Sequence, residues 1–485
     1  MTNSVDTGER AGLQHSLKQR HMTLIALGGV IGAGLFIGSG VLIHETGPAA
    51  VISFLLAGVL AILVMRMLGE MAAAKPAVGS FYEYARAALG NRAGFAIGWM
   101  YWYFWVIVVA VEAVAGAALI QHWLPQVPLW ILSLALMVTL TLTNLVSVRS
   151  YGEFEYWFSS IKVAAIIVFI VLGAAFVLGM WPDTSANLSN LTAHGGFAPH
   201  GVLPVLAAVV PAVAFFTGAE IATIAAAESA EPRKAVARAT NSVILRVLIF
   251  YVGSVFLVVA IRPWDDQSVL ESPYVGALVT MGVPAAAEIM QVVVLTAVLS
   301  ALNSGLYTAS RVIFALTRHN DAPKGFLKLN RRGVPVRAIL LGTVLGYVSV
   351  VMAYVSPDKV FSFLIHSYGA VALFVYTLIC LSQIRLRRRL EREAPESLVL
   401  KMWLYPYLSW FTVAAMVLVT VSMGILEDTR TDFLVSVGTL AVILLAYEVR
   451  RRRGGDPDGG VEATGSTPVA RDPEPEPAQA PTATS

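Results

Sequence analysis

Charge is scarce in this sequence. Only 13% of its 485 residues are charged and 57% are hydrophobic, whereas soluble domains carry about 25% charged residues. Mean hydropathy is +0.70. A water-soluble fold is excluded, because too few polar side chains exist to cover its surface and the apolar excess must face lipid. Cysteine is nearly absent. The single Cys380 stands in an apolar run with no partner for an internal disulfide and no His or Cys at metal-ligand spacing, which excludes a disulfide framework and argues against redox or zinc chemistry. Neither an HExxH motif nor a Walker phosphate loop occurs, so metalloprotease chemistry and ATP-driven pumping have no support. The net charge of +3 gives no sign of nucleic-acid binding. Residues Met1 to Arg20 lack the basic start, short apolar run and small-residue cleavage site of a signal peptide, so the first apolar span is expected to remain in the mature protein.

What is present is a recurring apolar segment. A spanning helix needs about 20 mostly apolar residues. Twelve such stretches are expected, at roughly 22–44, 48–74, 94–122, 128–148, 156–180, 203–227, 242–261, 285–316, 338–355, 361–384, 404–426 and 431–449. The chain thus reads as an all-α integral membrane protein with a polar segment at 1–21, a membrane domain at 22–453 and a tail at 454–485. Rich in Pro, Gly, Ala, Thr and acidic residues, the tail buries too little surface to offset ordering entropy and is expected to be disordered.

Lys and Arg alternate between the two ends of these spans. One end receives Arg10, Lys18, Arg20, Lys75, Arg86, Arg92, Arg149, Arg233, Lys234 and Arg238, then the loop from Arg318 to Arg337, the run Arg385 to Arg392 with Lys401, and Arg450 to Arg453. The other has only Arg262, Lys359 and Arg430. Positive charge is retained on the cytoplasmic side, so both termini are expected there, which requires an even number of spans. Membrane lipid is the surrounding partner; topology alone explains the basic runs such as Arg385 to Arg389, with anionic-lipid binding as the alternative reading.

Two spans carry helix-breaking sequences. Residues 28–38 of the first contain five glycines. Each costs up to about 1 kcal/mol relative to alanine inside a helix. Gly28 with Gly32, and Gly34 with Gly38, also fit small-xxx-small packing, so close packing and unwinding beside a polar cavity both remain open. The spacing from Gly32 is GxGxxxG and no strand precedes it, which excludes a dinucleotide fingerprint. In the sixth span, Gly218 and Glu220 interrupt an apolar stretch at Phe215 to Glu220. Interrupted helices at corresponding places in two halves point to a binding site at the midplane. The halves would run about 22–180 and 203–384, with extra helices at about 404–449.

Ionisable residues within spans are expensive and mark pathways or pairs. Glu112, Lys162, Glu220 and Glu228 qualify, Glu228 being close to an interface. Lys162 stands seven residues after Glu155; a coupling role is expected, with a structural pair to a helix carbonyl or carboxylate as the alternative. Arg66, Arg246 and Arg311 lie nearer the basic ends and are expected to snorkel. The aromatic run Trp99 to Trp105 reads mostly as an interfacial belt. His366 begins the tenth span, where a hydrated helix start explains it as well as a pathway does.

These residues resemble bacterial amino-acid permeases of the amino acid, polyamine and organocation superfamily, with the 4-aminobutyrate (GABA) permease group nearest. The stretches that carry the resemblance are GGVIGAGLFIG from Gly28, MRMLGEMA from Met65, GSFYEYA from Gly79, IGWMYWYFWV from Ile97 and SVRSYGEFEYWF from Ser147, then GAEIATIAAAES from Gly218, RATNSVI from Arg238, LNSGLYTASR from Leu302 and KMWLYPYLSW from Lys401. They span nearly all of the membrane portion.

The resemblance implies a twelve-helix transporter in the bacterial inner membrane, with an inverted five-plus-five repeat, discontinuous helices 1 and 6, two extra carboxyl-terminal helices, and alternating access with proton-coupled import. It implies that backbone amides at Gly32, Ala33 and Gly34 receive a substrate carboxylate, which suits the free N–H groups and positive dipole end beyond a helix break. Phe216, Thr217, Gly218 and Ala219 match the sixth-span positions that face the ammonium end. Lys162 matches the place where proton-coupled members substitute a lysine amine for a sodium ion, with Ser304 or Ser300 as its eighth-span neighbour. Glu220 and Glu112 are the next coupling candidates. The partners so implied are a small amino acid and protons; no cofactor or metal is expected, the oligomeric state is open, and the chain is not expected to be an enzyme. Where the nearest GABA carriers are expected to have an acidic residue in the tenth span, this chain has His366.

Overall fold

The computed structural model describes residues 34–77, 80–146, 148–181, 187–221, 231–330, 333–356 and 370–452, together with Ile31, Thr223 and Leu364. Helices account for the regular structure there, and no strand occurs among the described residues. In chain order they are α1 (Ser39–Thr46), α2 (Ala50–Ala74), α3 (Phe81–Leu89), α4 (Asn91–Gln121), α5 (Leu129–Val146) and α6 (Val148–Val177). Next come α7 (Val202–Ala207), α8 (Val209–Ala214), α9 (Pro232–Arg246), α10 (Ser254–Ile261), α11 (Gln267–Glu271) and α12 (Pro273–Thr280). The last five are α13 (Ala286–Arg318), α14 (Val336–Val355), α15 (Val371–Glu393), α16 (Tyr407–Ile425) and α17 (Glu427–Arg452).

Eight of the described helical stretches are long and apolar enough to cross a membrane. One of them, Ser39–Ala74, has 36 residues, a rise of about 54 Å if straight, far more than a hydrocarbon core of about 30 Å. It is therefore divided. Gly47 has φ 68° and opens a 3-10 turn, Gly47–Ala49, so α1 ends the first expected span and α2 forms the second. Val202–Ala214 and Leu248–Ile261 are shorter apolar helices. The expected tenth span is described from Ala370 as α15, whose second half carries the arginine run.

Exposed apolar side chains line the outer surfaces, among them Trp157, Val171, Leu418 and Leu445, as expected where lipid tails rather than water are the solvent. The interior is built around α13 and α4, which share the most extensive helix contact. Gly305 permits that approach, since a Cβ there would meet Val109 Cγ2 at 2.8 Å; small residues let membrane helices close on one another in this way. Because α4 is central, the run Trp99 to Trp105 is not an interfacial belt. Met100, Tyr101, Phe104 and Trp105 are buried, with Trp99, Trp102 and Tyr103 half-buried. Tyr101 meets Phe81 edge-on at 4.4 Å between ring centroids.

Ion pairs gather the basic ends. Asp321, past the end of α13, receives Arg86 Nη1 and Arg450 Nη1 at 2.6 Å each, and Tyr82 OH at 2.8 Å. Glu70 of α2 receives Arg387 Nη1 at 2.8 Å and Gln383 Nε2 at 2.9 Å from α15, and the backbone N–H of Met402. Arg66 donates to Lys401 O and Asn241 Oδ1 and lies over the Trp403 ring. Arg311 does not snorkel. It is 2% exposed, with its guanidinium 4.2 Å above the Tyr307 ring, and that ring stacks on Tyr151 at 4.0 Å. A cation about two turns inside the end of α13 finds an aromatic face nearer than water.

Candidate functional site

A cavity of about 1140 Å³ lies between the middles of the first and sixth expected spans, α4, α6 and α13. Its deep wall includes Leu35, Gly38, Trp105, Glu112, Lys162, Thr217, Ser300 and Ser304. Gln121, His122, Gln291 and Asp432 also line it. These four belong to the end of α4 and the starts of α13 and α17, the ends remote from the arginine-rich loops. The cavity therefore reaches the end opposite the basic one, while the Asp321 ion pairs tie the basic end together.

The broken segments have irregular backbone. Residues Gly34–Gly38 form a π-helical turn, a geometry found mostly as short bulges at functional sites. Gly34, a predicted site residue, opens that turn. Gly32 and Ala33, with Gly28 and Gly29, lie outside the described residues, as do Glu228, His366, the segment 1–21 and the tail 454–485. Ile31, Leu35 and Gly38 line the cavity. After Ala214 the sixth span leaves helical geometry through 215–220, and Gly218 has φ 109°, a region that glycine enters without a Cβ clash.

The sixth-span residues divide between the cavity and the core. Thr217 lines the cavity. Phe216 does not: it is 1% exposed and packs on Tyr251 at 4.4 Å. Phe215, which the sequence reading left out, lines the cavity in its place. It stacks on Phe54 at 6.0 Å, and its carbonyl accepts from Tyr251 OH at 2.9 Å. Gly38 gives the Phe215 ring its room, since a Cβ there would lie 2.8 Å from Phe215 Cζ. Ala219 is buried behind the turn.

Glu220 is fully buried and does not line the cavity. Tyr101 of α4 donates to its Oε1 at 2.9 Å, Tyr376 of α15 to its Oε2 at 2.8 Å, and the Gly218 N–H to Oε2 at 3.0 Å. The carboxylate thus closes the non-helical turn on itself and pins it to two long helices. A carboxylate taking several charge-assisted hydrogen bonds is well satisfied without a counterion.

Lys162, on α6, lines the cavity and is 2% exposed. Its Nζ donates to Ser300 Oγ at 2.8 Å, and Ser300 Oγ donates to Glu155 Oε1 at 2.6 Å. Ser159 also donates to Glu155 Oε1 at 2.9 Å. Asn303 and Asn144 extend the network through an Nδ2–Oδ1 bond of 2.9 Å. The chain ammonium, hydroxyl, carboxylate joins α6 to α13. Of the two serines considered beside Lys162, Ser300 makes the contact; Ser304 is buried and lines the cavity four residues on. Glu112 lines the cavity too, and with Glu155 it is within electrostatic reach of Lys162. The sequence marked Glu155 by its seven-residue spacing to Lys162 but gave Ser159 no role, though both positions carried a usable signal. With Lys162 they fall at i, i+4 and i+7, one face of a helix. Tyr101 and Tyr376 carried no local signal. No cluster of three or more metal-ligating side chains occurs among the described residues.

Comparison with known proteins identifies the family. The amino acid permease family model matches residues 21–455. The gamma-aminobutyric acid permease of Bacillus subtilis is 52% identical over 445 residues, covering 92% of this chain and 95% of the relative. The probable GABA permease of Pseudomonas aeruginosa is 45% identical over 463 residues, 94% of this chain and 97% of the relative. The gamma-aminobutyric acid permease of Escherichia coli is 46% identical over 428 residues, 88% and 91% of the two chains. With apolar helices, a broken sixth span and a buried cavity in place, the chain belongs to the amino acid permease family and is a multi-pass membrane transporter rather than an enzyme.

Proposed function

We propose that this permease imports 4-aminobutyrate together with protons by alternating access. The observation that carries the reading is Lys162, an ammonium lining the cavity and held by Ser300 and, through it, Glu155. An ammonium in the membrane interior is costly unless partners favour its charge, so its protonation follows the hydration and spacing of those partners. As the two halves rock, protonated Lys162 braces α6 against α13 in the state that takes up substrate. Loss of the proton on the inner side loosens that brace and aids release. Glu112 and Glu220 are the further coupling groups.

Twelve spans, an inverted repeat over about 22–180 and 203–384, and both termini in the cytoplasm complete the reading. The basic loops then face the cytoplasm and the cavity faces outward. Backbone amides at Gly32, Ala33 and Gly34 receive the substrate carboxylate, and in the turn Phe216 to Ala219 the ammonium meets Thr217, the one of the four that lines the cavity. GABA is the substrate favoured by the names of the three relatives.

Uptake of radiolabelled GABA into proteoliposomes tests this. An inward proton gradient should drive accumulation, a protonophore should stop it, and unlabelled GABA should compete best in an amino-acid panel. Accumulation that needs sodium and not a proton gradient would falsify the coupling. Stronger competition by another amino acid would replace the substrate.

A further inference from the structure

A second cavity, of about 580 Å³, lies away from the site among α4, α15, α16 and α17. Ligand pockets of about 300–1,000 Å³ are typical of small-molecule sites. Ala96, Met100, Phe374, Val421, Phe433 and Leu444 are among its walls. Its two threonine hydroxyls are spent within their own helices, Thr377 on Leu373 O and Thr420 on Met416 O, both at 2.8 Å. Val417 and Val421 are exposed, so the crevice opens on the lipid-facing surface.

One lining residue is charged, Arg92. It is the second residue of α4, at the basic end of the crevice, and its side chain is exposed. Its neighbours in the basic loops are engaged: Arg86 and Arg450 both hold Asp321. Among the described residues Arg92 makes no ion pair. The start of α4 beside it has no side-chain cap, and the positive end of that helix dipole adds to the charge. From Phe433 to Leu444 the crevice follows α17 for about 16 Å, close to half of a hydrocarbon core of about 30 Å.

We propose that this crevice binds an anionic phospholipid of the leaflet at the basic end, with one acyl chain lying in the groove and the phosphate on Arg92. The placement has a consequence for transport. Met100 and Thr377 of the wall are the sequence neighbours of Tyr101 and Tyr376, which hold Glu220. A chain in the groove braces α4 against α15 where those tyrosines meet the broken sixth span.

The test uses the full-length protein in detergent with an equal mixture of phosphatidylglycerol and phosphatidylcholine, read by native mass spectrometry. Wild type should retain phosphatidylglycerol in preference. Arg92→Gln should lower that retention about 5-fold, the contribution of one cation near a charged headgroup. Ala96→Phe, which fills the groove, should lower retention of both lipids; should it fail to fold, the exposed Arg92 variant carries the test alone. In vesicles, substrate uptake should be faster with phosphatidylglycerol than with phosphatidylcholine alone, and Arg92→Gln should remove the difference. Wild-type retention of phosphatidylglycerol by Arg92→Gln, or equal retention of the two lipids by wild type, overturns the proposal. Retention is read without transport, so it stands or falls independently of substrate and coupling ion.

Discussion

Lys162 Nζ and Ser300 Oγ are 2.8 Å apart across 138 residues of sequence, and the hydroxyl passes the contact on to Glu155. A single hydroxyl thus acts as acceptor for a buried ammonium and donor to a buried carboxylate. Removing it deprives both charges at once.

Leaving a buried polar group unsatisfied costs about 1–3 kcal/mol, more for charged groups. Ser300→Ala is therefore expected to cut gradient-driven accumulation by about 10-fold or more, while Ser300→Thr, which keeps the hydroxyl, retains most of it. Lys162→Ala should lose accumulation yet keep substrate binding and some exchange. Accumulation and counterflow measured side by side in proteoliposomes separate these outcomes. Normal concentration of substrate by Lys162→Ala would make the lysine structural.

Tyr101 and Tyr376 each supply one hydrogen bond to the buried Glu220 carboxylate. Hydrogen bonds to charged groups contribute about 1.5–3 kcal/mol, so Tyr101→Phe and Tyr376→Phe should each lower the melting temperature in detergent. Because both act on one carboxylate, the double variant should depart from the sum of the singles. Additive losses would show that the two tyrosines stabilise their own helices independently.

Gly38 faces Phe215 with no space for a methyl group. Gly38→Ala should displace the Phe215 ring into the cavity and raise the KM for uptake with unchanged protein in the membrane. Gly34→Val and Ala33→Val should abolish uptake, since a β-branched side chain stiffens the break. An unchanged KM for Gly38→Ala, read from initial rates, would show that the ring moves elsewhere.

At the basic end, Asp321 is 5% exposed and carries two arginines. Breaking a buried pair by removing one partner costs about 3–5 kcal/mol, so Asp321→Ala should destabilise strongly. Arg450→Gln should cost less, because Arg86 remains. Thermal unfolding in detergent reads both, and equal losses would show that Arg86 does not hold the carboxylate alone.

Asp266, in the connection before α11, caps that helix. Its carboxyl is held down to about 2 by hydrogen bonds from the Ser268 hydroxyl and backbone N–H and from Arg262. A carboxylate with a depressed folded-state pKa contributes stability above its unfolded value of about 3.9. That contribution is lost as pH falls through about 2. Losing such a cap costs about 0.5–2 kcal/mol. The melting-temperature gap between wild type and Asp266→Ala should therefore be constant from neutral pH to about pH 5 and shrink below about pH 4. A gap that already closes near neutral pH contradicts this.

Sequence alone determined the features that depend on composition and local spacing. Low charge and recurrent apolar runs require a membrane, because no soluble fold hides so much apolar surface. Glycine at 218 beside Glu220 forecast a break in the sixth span, and the structure has one, since a glycine at φ 109° ends a helix whatever surrounds it. Lys162 was legible as an ionisable residue followed by the uninterrupted apolar run Val163 to Leu172. The partners were decided by tertiary structure. Ser300, Tyr101 and Tyr376 come from helices distant in sequence, and nothing in the local pattern tells a serine on α13 from Ser304 four residues on. The aromatic run at Trp99 went into the core and Arg311 stayed buried for the same reason. A helix with polar and aromatic residues faces lipid, headgroup or protein according to how many neighbours surround it, and the number of neighbours belongs to the packing.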